Sequence, residues 1–187
     1  AWRLGTVGTC IGASGLPAIG ELVRRAWTGR LVPREIASEV DRQLGAFEAA
    51  LGRPPDFVDG HQHAHLLPVI RDIVLERLQA LNARGTVYVR VCDEPTLAIL
   101  RRGVAVPKAL FLAALSRGLR RRVTAAGLPA NDSFRGVTDF ASRERFGDEM
   151  RRFLEGPGER PLVMCHPGLA DGGAVAADAI AAQRPHE

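Results

Sequence analysis

Apolar residues recur along this chain with two spacings, one near 3.6 and one near 2. From Leu16 to Trp27 the positions Ile19, Leu22, Val23 and Ala26 fall on one helical face, and Gly29 ends the pattern. Pro33 opens a second helix, where the missing N–H of a first-turn residue leaves nothing unpaired. Its inward stripe is Ile36, Val40, Leu44 and Phe47, and its early Glu35 and Glu39 suit the positive helix end. Gly52 and Pro54-Pro55 close it. Asp56-Phe57-Val58-Asp59 then reads as a short strand. A third helix is predicted over Pro68 to Asn82, with Ile70, Ile73, Val74 and Leu78 inward. Thr86 to Val91 is a strand rich in β-branched residues, bounded by Gly85 and Asp93. A long helix from Pro107 to Ala126 is halted by Gly127, and another covers Phe140 to Leu154. The last strand, Arg160 to Cys165, leads into His166-Pro167-Gly168. Helices and strands alternate, so the expected class is α/β with parallel strands. No linker or internal repeat divides the chain, which predicts one domain over 1–187.

The chain's 187 residues are 46% hydrophobic and 25% charged, which is enough apolar material for a folded core. No apolar run is long enough to span a bilayer, and Ala1-Trp2-Arg3-Leu4-Gly5 does not open a secretory signal. Three widely spaced cysteines, Cys10, Cys92 and Cys165, build neither a disulfide framework nor a thiolate zinc site. They point to a reducing cytoplasm, and strand alternation puts Cys165 in the core. The net charge of +4 comes from arginine, densest at Arg117, Arg120, Arg121 and Arg122. Such a run reads first as a solvated helix face and second as a contact for phosphate or anionic lipid. No aromatic residues interleave with it, which speaks against nucleic acid.

Three of the five histidines, His61, His63 and His65, crowd together just after a predicted strand. In an extended backbone side chains alternate, so Asp59, His61, His63 and His65 would share one face; a curl after Gly60 would leave only some of them together. Imidazoles suit zinc and related ions, carboxylates suit magnesium, and a metal relieves the repulsion of clustered histidines. The bland alternative is a polar surface loop, but α/β folds place their sites at these strand ends. His166 ends another strand and is either a satisfied structural histidine or part of the same chemistry. Arg90 can bind a substrate oxygen or hold a salt bridge, and Asp171 can orient a histidine or cap a helix. His186 carries no assignment.

The segment Gly52-Arg53-Pro54-Pro55-Asp56-Phe57-Val58-Asp59-Gly60-His61-Gln62-His63-Ala64-His65 resembles the G-x-x-P-x-x-x-D-x-H-x-H-x-H pattern of the YdjC-like carbohydrate deacetylases, the group that includes ChbG and HpnK. Met164-Cys165-His166-Pro167-Gly168 with Asp171, and Arg90, are similar to later family features. Gly127-Leu128-Pro129 and Phe134-Arg135-Gly136 are similar to the hopanoid-associated, HpnK-like branch. The resemblance runs from about residue 30 to about residue 172. It implies an irregular (β/α) barrel of the polysaccharide-deacetylase and glycoside-hydrolase type. The implied reaction is metal-dependent removal of N-acetyl groups from an amino sugar, with one Mg or Zn ion. The family's Asn-Ala-Asp-Asp-Phe-Gly and Gly-Leu-His motifs do not occur before residue 30, so the expectation is an incomplete barrel, inactive as the bare chain, that lacks its N-terminal strands. By resemblance His61 is the surviving metal ligand, and His63 and His166 are catalytic groups. Asp59, His65, Arg90 and Asp171 bind substrate or support these groups. The substrate is a chitooligosaccharide or an acetylated hopanoid glycolipid; the latter would bring peripheral membrane contact, and a homodimer is compatible with the family. Two rivals stand beside this reading: a metal-dependent phosphoesterase and a non-catalytic metal- or sugar-binding module.

Overall fold

A computed structural model describes residues 17–82, 87–139, 146–156 and 158–166. The expected class holds: helices are joined to short strands that pair in parallel. The described residues form two compact units, each built from two stretches of chain.

The first unit holds the residues up to Val91 together with Arg117–Ala130. It opens with α1 (Ile19–Trp27) and α2 (Pro33–Leu51), both close to their expected bounds. Pro33 occupies the first turn of α2, and Gly52 takes the left-handed cap position with its N–H on the Glu48 carbonyl at 2.8 Å. The buried residues of α2 are Ile36 and, unexpectedly, Glu39, whose carboxylate is held by Arg42 at 2.6 and 2.9 Å and by Gln43 at 3.1 Å. β1 (Phe57–Val58) follows, then a pair of tight helical turns over His61–Leu66, then α3 (Ile70–Asn82). All four inward positions expected for α3 are buried, with Leu75 and Leu81 added. Arg77 of α3 binds the Asp41 carboxylate of α2 through two nitrogens, at 2.6 and 3.1 Å. β2 (Tyr88–Val89) pairs in parallel with β1, in the register Phe57 to Tyr88 and Val58 to Val89, and Val89 also bridges to Ala130. The core of this unit is Leu66, Leu67, Leu78, Val89, Val91, Leu119 and Val123, each at most 1% exposed.

The second unit holds Cys92–Ser116 and the residues from Asn131 onward. It contains α4 (Thr96–Arg102), the first part of α5 (Val106–Ala125), β3 (Ser133–Arg135), α6 (Phe146–Leu154) and β4 (Pro161–Val163). α4 and β3 were not expected from the pattern. β3 pairs in parallel with β4. Phe153, Ile99, Ala113 and Cys92 are buried here, and so is an ionic cluster. Arg102 grips both oxygens of Glu94 and lies over the Phe153 ring, 5.9 Å from its centre. Arg135 approaches the same carboxylate at 3.4 Å and donates to the Phe153 and Glu155 carbonyls at 3.0 and 2.9 Å. A buried charge is tolerated only when paired and hydrogen-bonded, and this cluster meets both conditions.

Candidate active-site turn

The register of β1 and β2 brings Arg90 near Asp59, because Val58 faces Val89 and these are the residues that follow each strand. The Arg90 N–H donates to the Val58 carbonyl at 3.3 Å. Its guanidinium is buried, donates to the Gly60 carbonyl at 3.1 Å and forms an ion pair with the Asp59 carboxylate. Of the two roles the sequence left open for Arg90, the salt bridge is therefore present.

The backbone does not stay extended beyond Gly60. It folds into tight turns in which Gln62 and His63 adopt left-handed conformations, with φ of 49° and 62°. Of the two readings of this segment, the curl after Gly60 is the one present, and the extended face shared by Asp59, His61, His63 and His65 is not. Alternation with period two holds only while the chain remains a strand. Here the turn separates the four side chains, leaving His61 exposed, His63 half-buried and His65 fully inside.

His65 is 2% exposed, and both ring nitrogens are engaged. The Gly60 N–H donates to Nδ1 at 3.1 Å, and Nε2 meets the Arg90 carbonyl at 3.0 Å. An amide can only donate and a carbonyl can only accept, so the ring is the neutral tautomer with its proton on Nε2. Burial and the nearby Arg90 charge push its pKa down to about 4. No lone pair remains on it for a metal. The close fit also explains Gly60: a Cβ there would lie 2.4 Å from Nδ1 of His65 and 2.7 Å from its backbone nitrogen.

Asp59 is about half exposed. Burial raises its carboxyl above the ordinary value, while Arg90, the Gly60 N–H and the charge of His61 pull it down. His61 thus lies close enough to Asp59 to act on it electrostatically. Asp59, His61 and His63 carry oxygen and nitrogen donors of the kinds a divalent ion takes. Among the described residues no group of three or more His, Cys, Asp or Glu side chains is arranged to hold a metal. The turn alone does not close such a site.

In the second unit His166 is half-buried just after β4. A close backbone approach fixes this region. The Met164 N–H donates to the Arg135 carbonyl at 2.9 Å, and a Cβ on Gly136 would lie 2.0 Å from the Met164 carbonyl oxygen. The segments Phe134-Arg135-Gly136 and Met164-Cys165-His166, far apart in the chain, are therefore neighbours. Cys165 is exposed, which corrects its assignment to the core: it lies past the end of β4, where strand alternation no longer applies. Asp171 and His186 lie outside the described residues. The ion cluster of Glu94, Arg102 and Arg135 was missed at the sequence level. Its members are dispersed, and no local spacing marks them as partners.

The model of the YdjC-like protein family matches residues 8–187. A human carbohydrate deacetylase is 31% identical over 150 residues, which are 72% of this chain and 43% of the human protein. The mouse carbohydrate deacetylase is also 31% identical, over 144 residues covering 72% of this chain and 45% of that protein. A chitooligosaccharide deacetylase of Yersinia pestis (strain Pestoides F) is 45% identical over 53 residues, 28% of this chain and 21% of that protein. The chain thus spans less than half the length of these relatives. No solved structure matches it significantly. The parallel strand pairs, the histidine-bearing turn and the family match over nearly the whole sequence agree: this chain belongs to the YdjC-like protein family.

Proposed function

We propose that the chain serves a metal-dependent hydrolase that removes N-acetyl groups from an amino sugar. One observation carries the reading: an exposed imidazole, His61, and a half-exposed carboxylate, Asp59, both follow the end of a parallel strand. The relatives' names, carbohydrate deacetylase and chitooligosaccharide deacetylase, supply the substrate class. The fold that goes with this reading is the irregular (β/α) barrel, which carries its sites at the C-terminal strand ends.

In this reading His61 is one ligand of a single Mg or Zn ion, which would polarise the acetyl carbonyl and acidify a water. Further ligands come from outside the Asp59–His65 turn. Asp59, anchored by Arg90, keeps one side open to solvent and orients groups at the turn. His63 and His166 are the candidates for proton transfer, by their place in the motifs. Amide hydrolysis needs a proton delivered to the leaving nitrogen as the C–N bond breaks, and an imidazolium delivers it near neutral pH. The products are acetate and a free amino sugar. A chitooligosaccharide and an acetylated hopanoid glycolipid both fit this chemistry.

The test is release of acetate from N-acetylated chitooligosaccharides, set against release of phosphate from a phosphate ester, by the protein that carries this chain. Acetate release that stops on chelation and returns with Mg or Zn is the expected result. Phosphate release alone would replace the reading with a phosphoesterase. Metal binding without acetate release would leave a binding module.

A further inference from the structure

We propose that His65 and Arg90 form a clamp that holds a strained turn and thereby fixes the place of the exposed His61. The inference rests on the deacetylase reading for its catalytic consequence, and on geometry alone for the clamp itself. It assigns both residues as positioning residues.

The strain comes first. Gln62 and His63 are consecutive non-glycine residues with left-handed backbones, and Val69, a β-branched residue, is a third within the same connection at φ 69°. Such conformations are costly for L side chains, and they persist only where surrounding contacts over-determine them. The free loop would relax toward right-handed or extended backbone, which would move His61.

The contacts come next, and they form a closed ring. The guanidinium of Arg90 holds the Asp59 carboxylate and the Gly60 carbonyl. The Arg90 carbonyl accepts from Nε2 of His65. Nδ1 of His65 accepts the Gly60 N–H. The Gly60 carbonyl also accepts the His63 N–H at 3.0 Å, which closes the left-handed turn. Both ends of the 59–65 segment are thus fastened to Arg90, the residue just after β2, and His61 and Gln62 are the exposed side chains at the bend between them. Buried Leu66 and Leu67 anchor the segment directly behind His65. The ring also explains why Gly60 admits no side chain, since a Cβ would occupy the His65 nitrogen's place.

The conservative probe is His65→Gln, whose amide oxygen can take the Gly60 N–H and whose NH2 can reach a carbonyl. The disruptive probes are His65→Ala, Arg90→Gln and Gly60→Ala. Two quantities are measured on the full chain: the NMR carbon shifts of Gln62 and His63, which report left-handed backbone, and hydrogen exchange of the Gly60 amide. Amides of α3 serve as the folded reference. In the wild type the left-handed shifts and a slow Gly60 amide are expected. The disruptive variants should lose both while α3 stays protected, and His65→Gln should keep both. In the protein that carries the chain, kcat for acetate release should fall about 10- to 100-fold in Arg90→Gln and His65→Ala, with KM little changed and His65→Gln restoring most of the loss. Left-handed shifts that survive in folded Arg90→Gln and His65→Ala would overturn the clamp. Lost shifts with unchanged kcat would overturn its positioning role. If His65→Ala and Arg90→Gln unfold outright, the decision passes to Gly60→Ala and His65→Gln. Wild type that shows the backbone signature but releases no acetate would remove the deacetylase reading and leave the clamp standing.

Discussion

At the scale of single residues, the histidine motif divides by burial. His61 faces solvent, while His65 is buried with its two nitrogens spoken for. Their substitutions should therefore behave oppositely. His61→Ala should leave thermal unfolding within about 0.5 kcal/mol of wild type, as exposed substitutions do, while abolishing any chelator-sensitive acetate release. His65→Ala should cost about 2–4 kcal/mol through lost packing and two orphaned partners. The same histidine predicts a pH dependence. Its pKa is pushed down to about 4 in the folded chain, from an ordinary value of 6.5. Between those values the unfolded state binds the proton and the folded state does not, so stability is full above pH 6.5 and falls as the pH drops toward 4. The loss attributable to His65 is about 2–3 kcal/mol by pH 4.5. Urea unfolding at pH 7 and pH 4.5, compared with His65→Gln, reads it directly: the variant should lose less, and an equal loss in both would refute the assignment.

At the scale of elements, the long helices and the strands β1, β2 and β4 were legible, while α4 and β3 were not. α3 buried each apolar position its spacing named, because a 13-residue amphipathic helix repeats its signal over more than three turns. Leu78→Ala should cost about 2–5 kcal/mol, as expected for a fully buried leucine, measured by denaturant unfolding. β3 spans three residues and buries all of them, including Ser133 and Arg135, so no alternation exists to read. α4 spans seven residues and leaves Leu97 and Leu100 exposed, so its apolar positions do not mark its face. Glu39 is buried on α2 because Arg42, one turn later, neutralises its charge and Gln43 donates a further hydrogen bond. The Glu94 cluster makes the matching prediction for the second unit. Glu94→Ala strands two buried guanidinium groups and should destabilise by about 3–5 kcal/mol. An effect below 1 kcal/mol would show that the cluster is hydrated in solution.

At the scale of the whole molecule, the arginine run behaves mainly as an outer face. Arg117, Arg121 and Arg122 are exposed, and Arg122 meets Asp72 at 2.8 Å. Among the described residues no helix is long and apolar enough to cross a membrane. The family match covers nearly all of this chain, yet the chain covers less than half of its named relatives. On the proposed reading the turn supplies only some of a metal's ligands. Adding Mg or Zn should therefore produce weak binding at the turn that is lost in His61→Ala, read by calorimetry. Tight binding that survives that substitution would place the metal elsewhere.

What the amino-acid order determined by itself was local: the long helices, their end signals, the strand before the histidines, and the motif that names the family. Each rests on neighbours within a few residues, where periodicity and turn chemistry operate. The tertiary structure decided which histidine is exposed and which is locked into the scaffold. That choice depends on Arg90, 25 residues beyond His65 in the chain, whose carbonyl and guanidinium reach the turn only because β1 and β2 pair in one register. It decided too that Glu94, Arg102 and Arg135 share a buried site. Pairing across such distances is set by the packing of whole elements, and no local spacing encodes it.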